Sequence, residues 1–234
     1  MFSSFRFLAL CCVLVLLTLL HAAAARAQSE QEELVAAAEA TFANFERNPQ
    51  MHWFQENIGK AKALLIAPEV IKAGFILGGS GGRAVLFARD PKGVKWYGPV
   101  FYTLITGSIG FQAGIEVSEA VTLVMTDRGL SSLLGSSFKM GGEASIAAGP
   151  VGIGARSNIR ADLVAFSHAK GIYGGLNLDG TAVRVNDAWN RTYYKPGVSP
   201  ADILVLHEFS NAQAERLRMM ISKAATWKAD EAAR

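Results

Sequence analysis

The chain predicts an α+β fold: a large antiparallel β-sheet, packed on itself or closing toward a barrel, with helices flanking it at both ends. Three observations predict it. The stretch from Gly74 to Gly180 holds 21 of the 23 glycines and threads them through short β-branched and aromatic runs. Turn signals recur roughly every ten residues along it, a spacing that suits sheet folded on itself rather than alternating helix and strand. Outside this stretch the apolar residues return at helical spacing.

The elements follow in order. Residues 1–27 read as a cleaved secretory signal: one cation (Arg6), a 14-residue apolar run from Phe7 to Leu20, then Ala25-Arg26-Ala27 before Gln28. That run is shorter than the roughly 20 residues that span a bilayer. Residues 28–57 form a helical segment. From Gln31 to Arg47, Leu34, Ala38, Phe42 and Phe45 share one helical face, and Glu30, Glu32 and Glu33 crowd the start, where acids suit the macrodipole. A second short helix is expected around Trp53 to Ala63, near Pro68.

Residues 58–198 form the β-rich domain. Strands are expected at Gly74 to Leu77 and Arg83 to Arg89, flanking a turn at Gly78-Gly79-Ser80-Gly81-Gly82, and then at Lys95 to Leu104, Ser108 to Ile115 and Ala120 to Met125. Asp127 to Leu134 reads as a helical turn or two stopped at Gly135. Strands resume at Phe138 to Ala148, Val151 to Ser157, Asp162 to His168, Tyr173 to Leu178 and Thr181 to Asn186. After Pro200 the pattern is helical again. In the 199–234 segment Leu217, Met220, Ile221, Ala224 and Trp227 line one face that suits packing on the sheet, with Arg216, Arg218, Lys223 and Lys228 elsewhere.

Composition excludes several function classes. Both cysteines, Cys11 and Cys12, lie in the leader, so the processed chain has no disulfide and relies on its apolar core. Leu10 stands where a lipidation site wants a small residue. Processing also removes Arg6 and Arg26, leaving 21 cations against 20 anions, and no nucleic-acid reading motif is present. His52, His168 and His207 are widely separated, so no metal is expected. The glycine cluster at Gly78 to Gly82 lacks the Lys-Ser/Thr of a phosphate loop. Two Ser-x-x-Lys tetrads, beginning at Ser136 and Ser167, lack their partner motifs. Glu116 and Glu119 offer no evident second partner for hydrolysis, so no catalytic residue is assigned and no cofactor is expected.

One charge feature remains. Between Lys60 and Lys95 there are seven cations and two anions, a net of +5 in an otherwise balanced processed chain. Such a region either draws an anionic lipid surface, each well-placed cation contributing about 1 kcal/mol, or is a solvated face pointing several ways.

The segments Val70-Ile71-Lys72-Ala73-Gly74-Phe75, Phe111 to Ser118, Lys170 to Thr181, Gly149-Pro150-Val151-Gly152 and Asn190 to Tyr194 together resemble the SYLF domain family, which includes the yeast actin-patch proteins. The likeness runs from about Ile58 to Tyr194 and the helix beyond, and the leader resembles that of the exported bacterial members. It implies a non-enzymatic module that binds anionic, phosphoinositide-like lipid headgroups and, in eukaryotic relatives, regulates actin. Lys72 matches a lysine of the family motif. Eukaryotic members carry a lysine-rich amphipathic helix ahead of the domain, and here that place holds Glu30, Glu32 and Glu33.

The resulting expectation is an exported lipid-binding module, periplasmic or extracellular, touching anionic lipid through Lys72, Arg83, Arg89, Lys92 and Lys95. Two alternatives stand beside it. One is a protein-interaction module of the cell envelope. The other is an envelope enzyme, which would need a pocket joining His168 or Glu116 to a second polar partner.

Overall fold

A computed structural model describes residues 30–74, 77–93, 95–109, 114–153, 158–176 and 178–232. The expected leader lies outside them, as do parts of the family motifs at Phe75, Phe111 to Ala113 and Asn177. Helix α1 occupies 30–47, and after a short 3-10 turn α2 covers His52–Asn57. Nine strands follow: β1 (Ala63–Gly74), β2 (Leu77–Arg89), β3 (Trp96–Ile109), β4 (Gly114–Val124), β5 (Ser137–Lys139), β6 (Ile146–Ala148), β7 (Leu163–Ala169), β8 (Ile172–Gly175) and β9 (Ala182–Val185). Helix α3 (Asp127–Leu134) separates β4 from β5, and α4 (Asp187–Tyr193), α5 (Pro200–Leu204) and α6 (Glu215–Ala232) close the chain.

The strands form one curled sheet, a half-barrel, in the order β5-β9-β3-β2-β1-β4-β7-β6, with β8 on β7. Every ladder is antiparallel except β6 on β7. Alternation along the strands builds two cores. On one face Leu64, Ile66, Val85, Phe87, Phe101 and Phe166 pack under Phe42 and Phe45 of α1, Trp53 and Phe54 of α2 and Leu217 and Ile221 of α6. On the other, Leu65, Leu86, Tyr102 and Val183 meet Leu133 of α3, Phe138 of β5 and Ile203 and Leu204 of α5. The C-terminal helix therefore spends its apolar stripe on the core, as expected; the Trp227 side chain lies outside the described residues.

Several elements differ from the sequence expectation. The expected helix to Ala63 ends sooner, and Ala63–Gly74 is a strand whose register with both neighbours shifts at Pro68, a β-bulge that tolerates the missing N–H. Gly78 to Gly82 is not a turn but the interior of β2, paired with β1 and β3. A Cβ at Gly82 would collide with the Glu69 carbonyl oxygen at the bulge, so glycine there permits close backbone approach. The span from Phe138 to Ala148 is two short strands, and Val151–Ile153 is irregular rather than strand, residues 154–157 lying outside the described set.

Candidate functional site

Strands β1 to β4 run 12, 13, 14 and 11 residues, against a usual five or six. Only one half of each is buried. Ala63–Ala67, Ala84–Ala88, Val100–Tyr102 and Ala120–Val124 lie in the cores, and beyond them the four central strands continue past the helices as a projecting sheet. There the register aligns side chains in rows. Ile105, Gly81, Ile71 and Val117 stand opposite one another across β3, β2, β1 and β4, and two residues further out so do Gly107, Gly79, Ala73 and Ile115. Their aliphatic side chains are open to solvent: Ile71 43 %, Ile105 48 %, Val117 51 % and Ile115 74 % exposed. Aliphatic chains that share one exposed face this way make it a candidate docking face.

Helix α1 crosses the same face one row nearer the body. Glu30 stands 3.8 Å from the Arg83 guanidinium of β2, and the Thr41 hydroxyl donates to Glu119 of β4 at 2.7 Å. Between helix and projecting sheet runs an open groove of about 750 Å³. Leu34 and Ala37 of α1 form its wall, Ile71, Gly81 and Ile105 its floor, and Trp189 its end. Its charged lining is Glu30, Glu33 and Glu69 against Arg83.

The five cations proposed from sequence do not form one surface. Lys72 lies on the projecting sheet, opposite Ser80 and Glu116 and on the other side from the groove. Arg83 is at the groove, its guanidinium 4.3 Å from the Trp189 ring centroid, where it ties the start of α1 to the sheet. Arg89, Lys92 and Lys95 sit at or beyond the opposite end of β2, nine residues from the row of Lys72 and so roughly 30 Å away. Arg89 is internal to that end: its Nε donates to the Gly93 carbonyl at 2.9 Å and its Nη1 to the Gly59 carbonyl.

The polar clusters of the body were not found from sequence. His168 Nδ1 lies 2.8 Å from Glu119, whose other oxygen holds Thr41, and the imidazole stacks on Tyr173 with ring centroids 4.3 Å apart. This network joins α1 to β4, β7 and β8. Asp162, 5 % exposed, accepts from Thr126 at 2.5 Å, from the Ser145 hydroxyl and amide at 2.6 and 2.8 Å, and from Arg128. The Arg128 guanidinium, reinforced by the Ser145 and Thr126 donors, holds its carboxyl far below the usual carboxylate range. The alternation of Ile71-Lys72-Ala73 and of Ile115-Glu116-Val117 signals the projecting strands in the sequence; the long-range pairs left no signal. Among the described residues no His, Cys, Asp and Glu side chains gather as metal ligands, and no helix is long and apolar enough to cross a membrane.

Fold and surface together define the class: a helix-flanked, curled antiparallel sheet whose four central strands project beyond the core and carry a groove beside the first helix. The chain belongs to the Ysc84 family, whose model, described as a Las17-binding protein actin regulator, matches residues 105–224. It is 34% identical over 165 residues to the SH3 domain-containing YSC84-like protein 1 of Bos taurus and to that of Homo sapiens, covering 68% of this chain and 48% of each relative. It is 30% identical over 142 residues to LAS seventeen-binding protein 3 of Saccharomyces cerevisiae, covering 58% of this chain and 30% of that protein. The chain thus spans about half the length, or less, of these curated relatives. No solved structure matches it.

Proposed function

We propose that this chain is a non-catalytic lipid-binding module, working outside the cytoplasm after its leader is removed, that meets an anionic lipid surface end-on with its projecting sheet. The observation that carries this reading is the aliphatic fringe of Ile71, Ile105, Val117 and Ile115 on strands that have outrun the core. Apolar side chains at such an end insert at the headgroup boundary, and Lys72, on the opposite side of β1 from Ile71, adds attraction to anionic headgroups. End-on contact keeps the acidic start of α1 away from the lipid. The His168–Glu119 pair, stacked and bonded between elements, serves packing in this account.

The test is flotation of the processed protein, residues 28–234, with neutral and with phosphatidylserine-containing vesicles. Ile115→Asp with Val117→Asp should abolish flotation, and Lys72→Gln should weaken it on anionic vesicles only. Lys92→Gln with Lys95→Gln, at the far end of the molecule, should leave it unchanged. Flotation lost in the Lys92/Lys95 variant and kept in the Ile115/Val117 variant would sink the proposal.

A protein partner is the second reading. It is favoured by the groove beside α1 and by the names of the yeast relatives, which record binding to Las17.

A further inference from the structure

The floor of the groove is a trough one side chain wide. Inward along the α1 side of β2 the successive positions are Gly79, Gly81 and Arg83, so the strand is bare at the first two and carries a side chain where it reaches α1. Ile71 of β1 and Ile105 of β3 stand on either side of Gly81, their backbones about 9–10 Å apart, and their side chains narrow that gap. Leu34 and Ala37 of α1 wall the inner part, and the Arg83 guanidinium stacked on Trp189 closes its end. From Gly79 to Arg83 the trough runs four residues, about 13 Å. Nothing in the fold asks for glycine at Gly81. A Cβ there meets the Leu104 carbonyl oxygen at an ordinary 3.5 Å, whereas at Gly82 it would collide with the Glu69 carbonyl. Glycine weakens a strand interior, and where packing does not call for it, it marks the close approach of something else.

Shape selects the occupant. A helix with its side chains is about 10–12 Å across, so it would rest on Ile71 and Ile105 and leave the trough between them empty. A single hydrocarbon chain fits between them. In a bilayer core about 30 Å thick a chain from one leaflet reaches about 15 Å, close to the length of the trough. The groove, about 750 Å³, is also of the size that small ligands occupy. We infer that it takes one acyl chain of a phospholipid, drawn from the bilayer at the projecting end and laid along β2 over Gly79 and Gly81, with its methyl end toward Trp189. The inference rests on the lipid reading above and deepens it, since the ligand of the site becomes the chain as well as the headgroup. Seating the chain removes from water both its own surface and the exposed faces of Ile71 and Ile105. A hydrocarbon chain requires no partner from the charged groups at the rim.

The probe is phosphatidylcholine brominated near the methyl ends of its acyl chains, mixed into phosphatidylserine-containing vesicles and added to the processed protein, residues 28–234. Bromine quenches tryptophan fluorescence on close approach. Trp189 lies at the inner end of the trough, so end-on contact alone keeps it away from the chain ends in the middle of the bilayer, while a chain in the trough brings them to it. Emission is read on the protein that floats, and Trp189→Phe, which keeps a ring under Arg83, identifies the part that comes from Trp189. The Trp189 emission should be lost on brominated vesicles and kept on plain ones, and bromine placed near the glycerol end of the chain should quench it less. Gly81→Val fills the trough and should restore the emission; its Cβ has room, so the strand keeps its fold, as thermal melting should verify. Flotation without quenching of Trp189 overturns the inference, keeps the end-on contact and leaves the groove to a protein partner. Quenching that a folded Gly81→Val retains, or that is stronger from the glycerol end, overturns it as well. Absence of flotation overturns the end-on reading and this inference with it.

Discussion

At the residue scale, the buried Asp162 carries the sharpest expectation. Its carboxylate joins the start of α3 to β6 and β7 through Thr126, Arg128 and Ser145, so Asp162→Asn removes a charge whose partners stay behind. The expected cost is about 2–3 kcal/mol in urea unfolding at neutral pH. The folded-state carboxyl titrates below its ordinary range, so this stabilisation is present above about pH 4, where the unfolded carboxyl is also ionised, and fades as pH falls below that. The gap between wild type and variant should therefore narrow in acid. Glycines divide by their surroundings. Gly82→Ala drives a methyl into the Glu69 carbonyl and should lower the melting temperature by several degrees, whereas Gly107→Ala, with nothing within 4 Å, should leave it within about a degree. None of this was legible in the sequence, because Asp162 meets Arg128 across 34 residues and His168 meets Glu119 across 49.

At the scale of elements, the sequence was legible wherever period and punctuation agreed. The α1 and α6 stripes, α3 with its stop at Gly135, and β7 follow the apolar pattern closely. The failures share one cause: neighbours across the sheet supplied what the local sequence lacked. Pro68 hid β1 because the bulge accommodates it, and the Gly78 to Gly82 run resembled a turn because glycine carries no strand signal of its own. Helix α4 went unseen, yet it completes the sheet edge. Asn190 accepts from the Phe101 amide at 2.9 Å and donates to the Phe101 carbonyl at 3.3 Å, standing in for a strand just beyond the last β3–β9 pair. Asn190→Ala should cost about 1–3 kcal/mol, read by chemical denaturation, by leaving the Phe101 amide unsatisfied, while the Phe101 carbonyl keeps the Asn186 amide at 2.9 Å. Ile221→Ala on α6 should cost about 2–4 kcal/mol by leaving a cavity under the helix.

At the scale of the whole molecule, the family and the α+β half-barrel were readable from motifs and spacing, while the candidate site was only half so. Lys72 was singled out and lies on the projecting sheet, but charge counted along the chain cannot tell that β2 carries Arg83 and Arg89 to different ends of the body. The groove draws on α1, β1, β2, β3 and α4, and only folding brings Glu30, Ile71, Ile105 and Trp189 together. The central claim is that this protein works from the projecting end of its sheet. Hydrogen exchange of the processed protein, residues 28–234, with and without phosphatidylserine-containing vesicles tests it most directly. The account predicts slowed exchange in the outer halves of the four central strands, residues 69–73, 79–83, 104–108 and 115–118, with none in the 89–95 turn. Protection confined to that turn, or flotation with no protection in the projecting strands, would contradict it.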